Sequence, residues 1–395
     1  MRFDKVYLPA GGYWTSPFSK WQGKFSTLHP LHLAADFTKI ALGRREIPAT
    51  ELDSLVLGWS VPAKQIFYGG PWIAGLIGAP GISGPMISQA CATSAATLAH
   101  AAQTVELGGS RASVAILTDK CSNGPHVTYP NPAGPGGKPD SEDWVWDNFS
   151  RDPWAKNSMV ETAENVAKEA GITREQMDAL TLHRHAQYQK ALDEKFHERT
   201  MIAPYEINPS GRKVIATIEG DEGIFPTTAE GLAKLRPMLP EGTITFGTQT
   251  FPADGNAGLL VCDEERARAW SRDGDPVQVV SFGSARTEKG YMAKAVVPAA
   301  QKALDSAGIG IKDCKVIKTH NPFAVNDIYF ARQFNIEAES MNNYGSSLIY
   351  GHPQGPTGAR LIGEGVAEAQ LLGGGYVLFA GCAAGDTAAA VVLKV

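Results

Sequence analysis

Cysteine is scarce in this chain. Five residues in 395 (Cys91, Cys121, Cys262, Cys314, Cys382), widely spread and without a CxxC pair, exclude a disulfide scaffold and a cysteine zinc site. This usage fits a reducing compartment. Positive charge is also short: 36 Lys and Arg against 41 Asp and Glu leave a net charge of −5, with no basic cluster longer than a pair. Nucleic acid is therefore not an expected partner, and small molecules are. The N-terminal residues MRFDKVYLPAGGYW lack the basic region and apolar run of a secretory leader, so a cytoplasmic protein is expected. From Gln65 to Val105 there is no Asp, Glu, Lys or Arg. Pro71, Pro80, Pro85 and many glycines argue against a membrane helix there, so the segment is read as buried interior or as a surface between copies of the chain.

What is present is a globular composition, 43% hydrophobic and 19% charged with 42 Gly and 25 Pro. The length suits two or three domain-sized units. Short Val, Ile and Leu runs (Leu55–Leu57, Val114–Leu117, Val277–Phe282, Val316–Ile317, Val377–Phe379) alternate with Ala-rich helical patterns, which predicts α/β layering with strands buried on both faces. Between about Asn123 and Gly247 the texture changes to a Pro/Gly-rich loop, clustered aromatics (Trp144, Trp146, Phe149, Trp154) and a charged helical pattern from Met159 to about Arg199. An inserted domain is expected there. The segments beginning at Thr93 (TSAATLAHAAQTVELGG) and Thr357 (TGARLIGEGVAEAQLLGG) share a Thr start, a small-residue helix and a Leu-then-Gly exit, each followed by a hydrophobic strand. Two similar α/β halves with a site where they meet are expected.

Cys91 lies where an apolar run turns into the first of these helices. A cysteine in the first helical turn faces unpaired N–H groups and the positive end of the dipole, which lowers its pKa and favours the thiolate. In the second half, His352 stands on the Gly/Pro-constrained loop Gly351–Arg360, His320 follows a strand over 315–317, and Cys382 sits after a strand over 376–380 on a Gly-flanked turn. Other conspicuous residues read as ordinary structure. Cys121, Cys262 and Cys314 are expected to pack, His183 and His185 to lie on a solvated or interface face, and the tryptophans to cover core rather than stack on adenine.

The Cys91 helix, Thr162-Ala163-Glu164-Asn165, Asp254-Gly255-Asn256-Ala257-Gly258, the GHPxGxxGAR run from Gly351 to Arg360 and the Cys382 loop together resemble the thiolase family over essentially the whole chain. The resemblance implies a five-layered αβαβα fold of two duplicated halves, residues 1–118 with about 248–270 and residues 271–395, around a loop domain over 119–247 that supplies much of a coenzyme A site. It implies cleavage or formation of a 3-oxoacyl-CoA through an acylated Cys91, with CoA as co-substrate and no permanently bound cofactor or metal. Matched by motif, His352 is the base and an oxyanion donor, Cys382 the acid/base at the acetyl-CoA carbon, and His320 a support of the same oxyanion hole. The backbone N–H groups of Cys91 and Ala384 form the other hole, and Thr250, Met159 and Phe323 contact CoA. A homodimer or homotetramer is implied, with any further subunit left open.

Departures from the family pattern fall on Ala384 for a usual Gly, Ser158 for a frequent His, Thr250 for a common Ser, and the His320-Asn321-Pro322-Phe323 run, whose Pro322 forbids a simple copy of the usual loop. Aromatic residues at Tyr68, Trp72, Phe323, Tyr344 and Tyr350 suggest a bulky or aromatic acyl group of benzoylsuccinyl-CoA type as the runner-up substrate class to an ordinary fatty 3-oxoacyl-CoA. The rivals are a decarboxylating ketoacyl-synthase-like enzyme, against which the second cysteine speaks, and a non-catalytic acyl-CoA-binding subunit.

Overall fold

Every residue from Ala112 to Lys120 and from Ala253 to Cys262 is buried, because these two antiparallel strands lie at the centre of a mixed sheet covered on both faces. The computed structural model describes residues 1–209, 211–272 and 274–395. In it the strands follow the order Cys314–His320, Tyr376–Ala383, Thr387–Lys394, Val277–Arg286, Tyr7–Leu8, Ala253–Cys262, Ala112–Lys120, Ser54–Gly58, Met86–Ile87. Tyr13–Thr15 and Ser19–Lys20 also pair with Ala253–Cys262. The two sides of this path repeat one plan. Ser54–Gly58 runs parallel to Ala112–Lys120, which turns antiparallel into Ala253–Cys262; Cys314–His320 runs parallel to Tyr376–Ala383, which turns antiparallel into Thr387–Lys394. The helices Thr93–Glu106 and Pro356–Leu371 precede equivalent strands, as the repeated sequence segments require.

These two helices form the middle layer. Pro356–Leu371 is buried along nearly its whole length, the pattern of a helix enclosed on every side, and packs on strands from both halves. Pro30–Arg44 covers one outer face and Val296–Ala307 the other, which completes the expected αβαβα layering. Small residues are needed where the central helices meet: Ser94 Oγ donates to the Gly355 carbonyl and accepts the Ala359 N–H at 2.7 Å, and a Cβ on Gly358 would stand 2.8 Å from that of Ser94.

Among the described residues no strand between 121 and 252 joins the main sheet; two hairpins, His126–Tyr129 with Asp140–Asp143 and Tyr205–Ile207 with Ala216–Ile218, pair only within themselves. The charged helical pattern read as one stretch is two helices, Met159–Ala170 and Arg174–Asp193, because Gly171 ends the first in the left-handed region at φ 60°. Ser158 caps the first helix in a capping box with Glu161. Glu164 accepts the Thr243 and Ile244 N–H groups, both at 2.7 Å, and Asn165 donates to the Gly290 carbonyl, so the TAEN motif fastens loops. Arg360 is buried, grips Asp221 through two bonds of 2.7 and 2.8 Å, pairs with Glu364 and stacks 3.6 Å over the Tyr350 ring. It ties the inserted region to the central helix.

Some burial expectations are corrected. Phe67 and Tyr68 are 81% and 65% exposed, so the charge-free segment reaches the surface of the single chain rather than lying wholly inside. Trp146 and Trp154 are exposed too, Trp154 lying under the Lys289 ammonium, while Trp144 packs against Val61 and Cys121. His183 and His185 are both half-buried, and His183 Nε2 meets the Glu339 carbonyl at 3.1 Å. Cys121 and Cys262 are buried as expected and Cys314 is half-buried. Among the described residues no helix is long and apolar enough to cross a membrane.

Candidate active site

Cys91 stands on a tight turn between the strand Met86–Ile87 and the helix Thr93–Glu106. Ala90 before it is held at φ 43°, and the Ala92 N–H closes the turn on the Gln89 carbonyl at 2.9 Å. Such a left-handed alanine is strained and persists only where its surroundings impose it. His352 is brought in by the loop that follows Gly351, at φ 88°, where a Cβ would meet the Phe251 ring at 2.7 Å. The His352 backbone pairs with Phe251 and Ala253, and its Nδ1 lies 2.6 Å from Thr357 Oγ1. His320 ends its strand, its Nδ1 2.8 Å from Ser347 Oγ.

The two imidazoles stack with ring centroids 4.0 Å apart, and both Nε2 atoms are buried without a hydrogen-bond partner. Cys91 Sγ and one nitrogen of each ring lie within 4.8 Å of one another. Among the described residues this is the one His, Cys, Asp and Glu cluster close enough to share a metal ion.

Electrostatics overturn one expectation. Burial pushes the Cys91 thiol up to about 12, although the Ala384 N–H and its own N–H pull the other way. The helix Thr93–Glu106 begins two residues after the thiol, so its dipole does not outweigh the loss of water. Burial lowers His320 to about 3 and, with His320 beside it, holds His352 well below the ordinary imidazole value. At neutral pH the resting site is a neutral thiol beside two neutral imidazoles.

Cys382 is fully buried and lies inside the strand Tyr376–Ala383, not on a turn after 380. Gly381 belongs to that strand, paired with His320 on one side and Ala389 on the other, and a Cβ there would stand 3.1 Å from the Cβ of His320. Burial, then the nearby Cys91, raise the Cys382 thiol well above the usual value. Ala384 does not distort its loop: the positive φ angles fall on Gly385 and Asp386, and Asp386 accepts the Gly290 and Tyr291 N–H groups. Thr250 donates its hydroxyl to the Ser347 carbonyl and its N–H to Pro322 at 2.7 Å, while Gln249 bridges Phe323, so Thr250 and Phe323 share one loop junction. Met159 is half-buried at the first turn of its helix.

The aromatic residues do not converge on the site. Tyr350 packs under Arg360, Tyr344 stacks on Phe196, Trp72 lies against His29 and His32, and Tyr68 against Phe67. Two site residues had no signal in the sequence. Asn326 donates Nδ2 to Cys382 Sγ at 3.3 Å, and Gln354 Oε1 accepts from Cys91 Sγ at 3.2 Å.

Comparisons with known proteins agree with this geometry. The thiolase N-terminal domain matches residues 12–265 and the thiolase C-terminal domain residues 276–395. The 3-ketoacyl-CoA thiolase of Bacillus subtilis is 29% identical over 390 residues, covering 94% of this chain and 95% of its own. The 3-oxoadipyl-CoA/3-oxo-5,6-dehydrosuberyl-CoA thiolase of Escherichia coli is 27% identical over 391 residues, covering 96% and 97%. The crystal structure of the Bacillus anthracis acetyl-CoA acetyltransferase superposes with a TM-score of 0.90 at 25% identity, covering 100% of this chain and 99% of its own. Fold and matches together define an acyltransferase. The chain belongs to the thiolase family.

Proposed function

We propose that the chain cleaves a 3-oxoacyl-CoA with free CoA, or runs the reverse condensation, by ping-pong chemistry through an acyl-Cys91 thioester. The observation that carries this reading is the cluster of Cys91 Sγ and one nitrogen of each imidazole within 4.8 Å, with a second buried thiol next to it. Cys91 gives its proton to His352 Nε2 and attacks the 3-oxo carbon. The bond between C2 and C3 breaks, and the electron pair leaves as the enolate of acetyl-CoA. His320 and protonated His352 meet the enolate oxygen, and the Cys382 thiol gives its proton to C2. Incoming CoA then gives its thiol proton to the Cys382 thiolate and attacks the acyl-Cys91 carbonyl in the hole formed by the Cys91 and Ala384 N–H groups. Cys91 leaves as thiolate and recovers its proton from His352, which closes the cycle. A soft nucleophile is needed because both half-reactions exchange one thioester for another.

Thr250, Phe323 and Met159 are assigned to the CoA side, and the exposed Phe67 and Tyr68 on the charge-free segment support association of copies. The acyl group is assigned to the general 3-oxoacyl class. An aryl group of benzoylsuccinyl type rests on Phe323 alone, since the other four aromatic residues lie elsewhere. A thiolysis panel of short, long, branched and aryl 3-oxoacyl-CoA substrates tests the activity and reads the acyl group. Turnover of at least one is expected, and no thiolysis of any overturns the reading. After incubation with an acyl-CoA and acid quenching, mass spectrometry is expected to place the acyl adduct on Cys91; an adduct on Cys121, Cys262 or Cys314 with Cys91 free overturns the assignment.

His320→Ala is expected to lower kcat by about 10²–10³, the usual effect of removing one oxyanion donor, with KM for CoA little changed. Ser347 Oγ, 2.8 Å from His320 Nδ1 and 3.1 Å from Asn321 Oδ1, holds the ring in the cluster with Cys91. Near-wild-type cleavage in the variant removes His320 from the mechanism.

A further inference from the structure

Gln354 occupies the variable position of the GHPxGxxGAR run and enters no step above. It is 6% exposed, and its backbone stands at φ 65°, a left-handed conformation that a residue with a long side chain adopts only under constraint. The constraint has a consequence for the site. It aims the carboxamide back across the junction of the two halves, so that Oε1 accepts from Cys91 Sγ at 3.2 Å. His352, two residues earlier, is 4% exposed and carries a buried Nε2 with no bonded partner.

We propose that Gln354 is a positioning residue whose Oε1 serves as one acceptor for the proton of Cys91, first on sulfur and then on His352 Nε2 once the thiol has ionised. At rest the S–H points at Gln354 rather than into the substrate space. When the proton crosses to His352, the same oxygen faces a new N–H without moving to a different pocket. The balance is simple: one proton leaves Sγ and arrives on Nε2, the electron pair stays on sulfur, and Gln354 neither gains nor loses a proton. An amide oxygen suits this task because it has two lone pairs and remains uncharged throughout neutral pH. The direction of its electrostatic effect agrees. Burial and His320 disfavour a charged His352, and the Gln354 amide works against them. An aliphatic residue at 354 would fill the volume and leave both the thiol proton and the imidazolium unpartnered.

This inference deepens the functional reading above, and its test does not depend on that reading. The probe is iodoacetamide, with Cys91 alkylation followed by mass spectrometry between pH 6 and 9 on the full chain. Gln354→Met, close in length but unable to accept strongly, is expected to react about tenfold more slowly at pH 7 than wild type, the effect of losing one hydrogen bond to a charged group, with an unchanged melting temperature. A purely space-filling role predicts equal rates for Gln354→Met and wild type, and that result overturns the proposal. Should Met disturb the fold, Gln354→Asn serves instead: it keeps the amide one methylene short, and wild-type reactivity in that variant overturns the proposal as well. Failure of the thiolysis panel with these rate differences intact would count against the functional reading alone.

Discussion

Cys382→Ala is expected to retain acyl exchange between Cys91 and CoA while carbon–carbon cleavage falls by about 10²–10⁴, the usual worth of a positioned acid/base. The argument starts from burial. Cys382 has no solvent exposure, and burial with the neighbouring Cys91 keeps it a neutral thiol well above neutral pH. A neutral thiol is an acid, which is what a carbanion at C2 needs. The thiolate left behind is met by the Asn326 N–H at 3.3 Å, which offsets part of the cost of charging a buried sulfur. In acyl exchange His352 takes the proton of Cys91 and returns it to the departing CoA thiolate, so Cys382 stays a thiol throughout; only after carbon–carbon cleavage is it the thiolate that takes the proton of incoming CoA. Two assays separate the steps: exchange of labelled CoA into an acyl-CoA, and thiolysis of a 3-oxoacyl-CoA. Because the functional form is the protonated thiol, cleavage controlled by Cys382 is retained as pH rises through neutrality and lost only as pH approaches its raised pKa. Equal loss of both activities in the variant would contradict the assignment.

Much of this arrangement was legible in the sequence because the demands are local. The turn before a small-residue helix places Cys91, the glycine and proline around His352 hold its loop, and the repeated Thr-to-Gly segments announce two halves whose helices meet at Ser94 and Gly358. What was not legible depends on contacts between distant parts of the chain. The position of Cys91 near a helix start suggests a lowered pKa, yet the shell around it comes largely from the other half, and desolvation outweighs the dipole. Gln354 meets Cys91 from 263 residues away, and Asn326 meets Cys382 from 56. Neither has a periodicity or spacing of its own. Gly381 reads as the start of a turn, whereas it continues the strand by pairing with His320 and Ala389, and the glycine there answers the close approach of the His320 side chain. The aromatic residues looked like a pocket in the sequence because composition carries no direction. In the fold, Tyr344, Tyr350 and Trp72 each serve a separate cluster.

His352→Ala is expected to lower kcat at pH 7 by about 10³ or more and to make the residual rate rise about tenfold per pH unit between pH 7 and 10. In the wild type, the thiol does not ionise into water. Its pKa is pushed up to about 12, so the nucleophile forms by direct transfer to an imidazole in the same cluster. Because burial holds His352 well below its ordinary pKa, the ring is already neutral and ready to accept a proton across the physiological range. The sign follows from the base form being the functional one: activity is present above that lowered pKa and is lost only when pH falls through it, so this ring imposes no acid limb near neutrality. Removing it leaves solvent hydroxide as the base. The fraction of thiolate then sets the rate, and that fraction is on the order of 10⁻⁵ at pH 7 for a thiol titrating near 12. The same dependence is expected in alkylation of Cys91 by iodoacetamide, which needs no bound acyl-CoA and so separates loss of the base from loss of an oxyanion donor. A variant whose alkylation and turnover both keep the wild-type pH profile would remove His352 as the base and leave the neutral thiol beside it without a route to the thiolate.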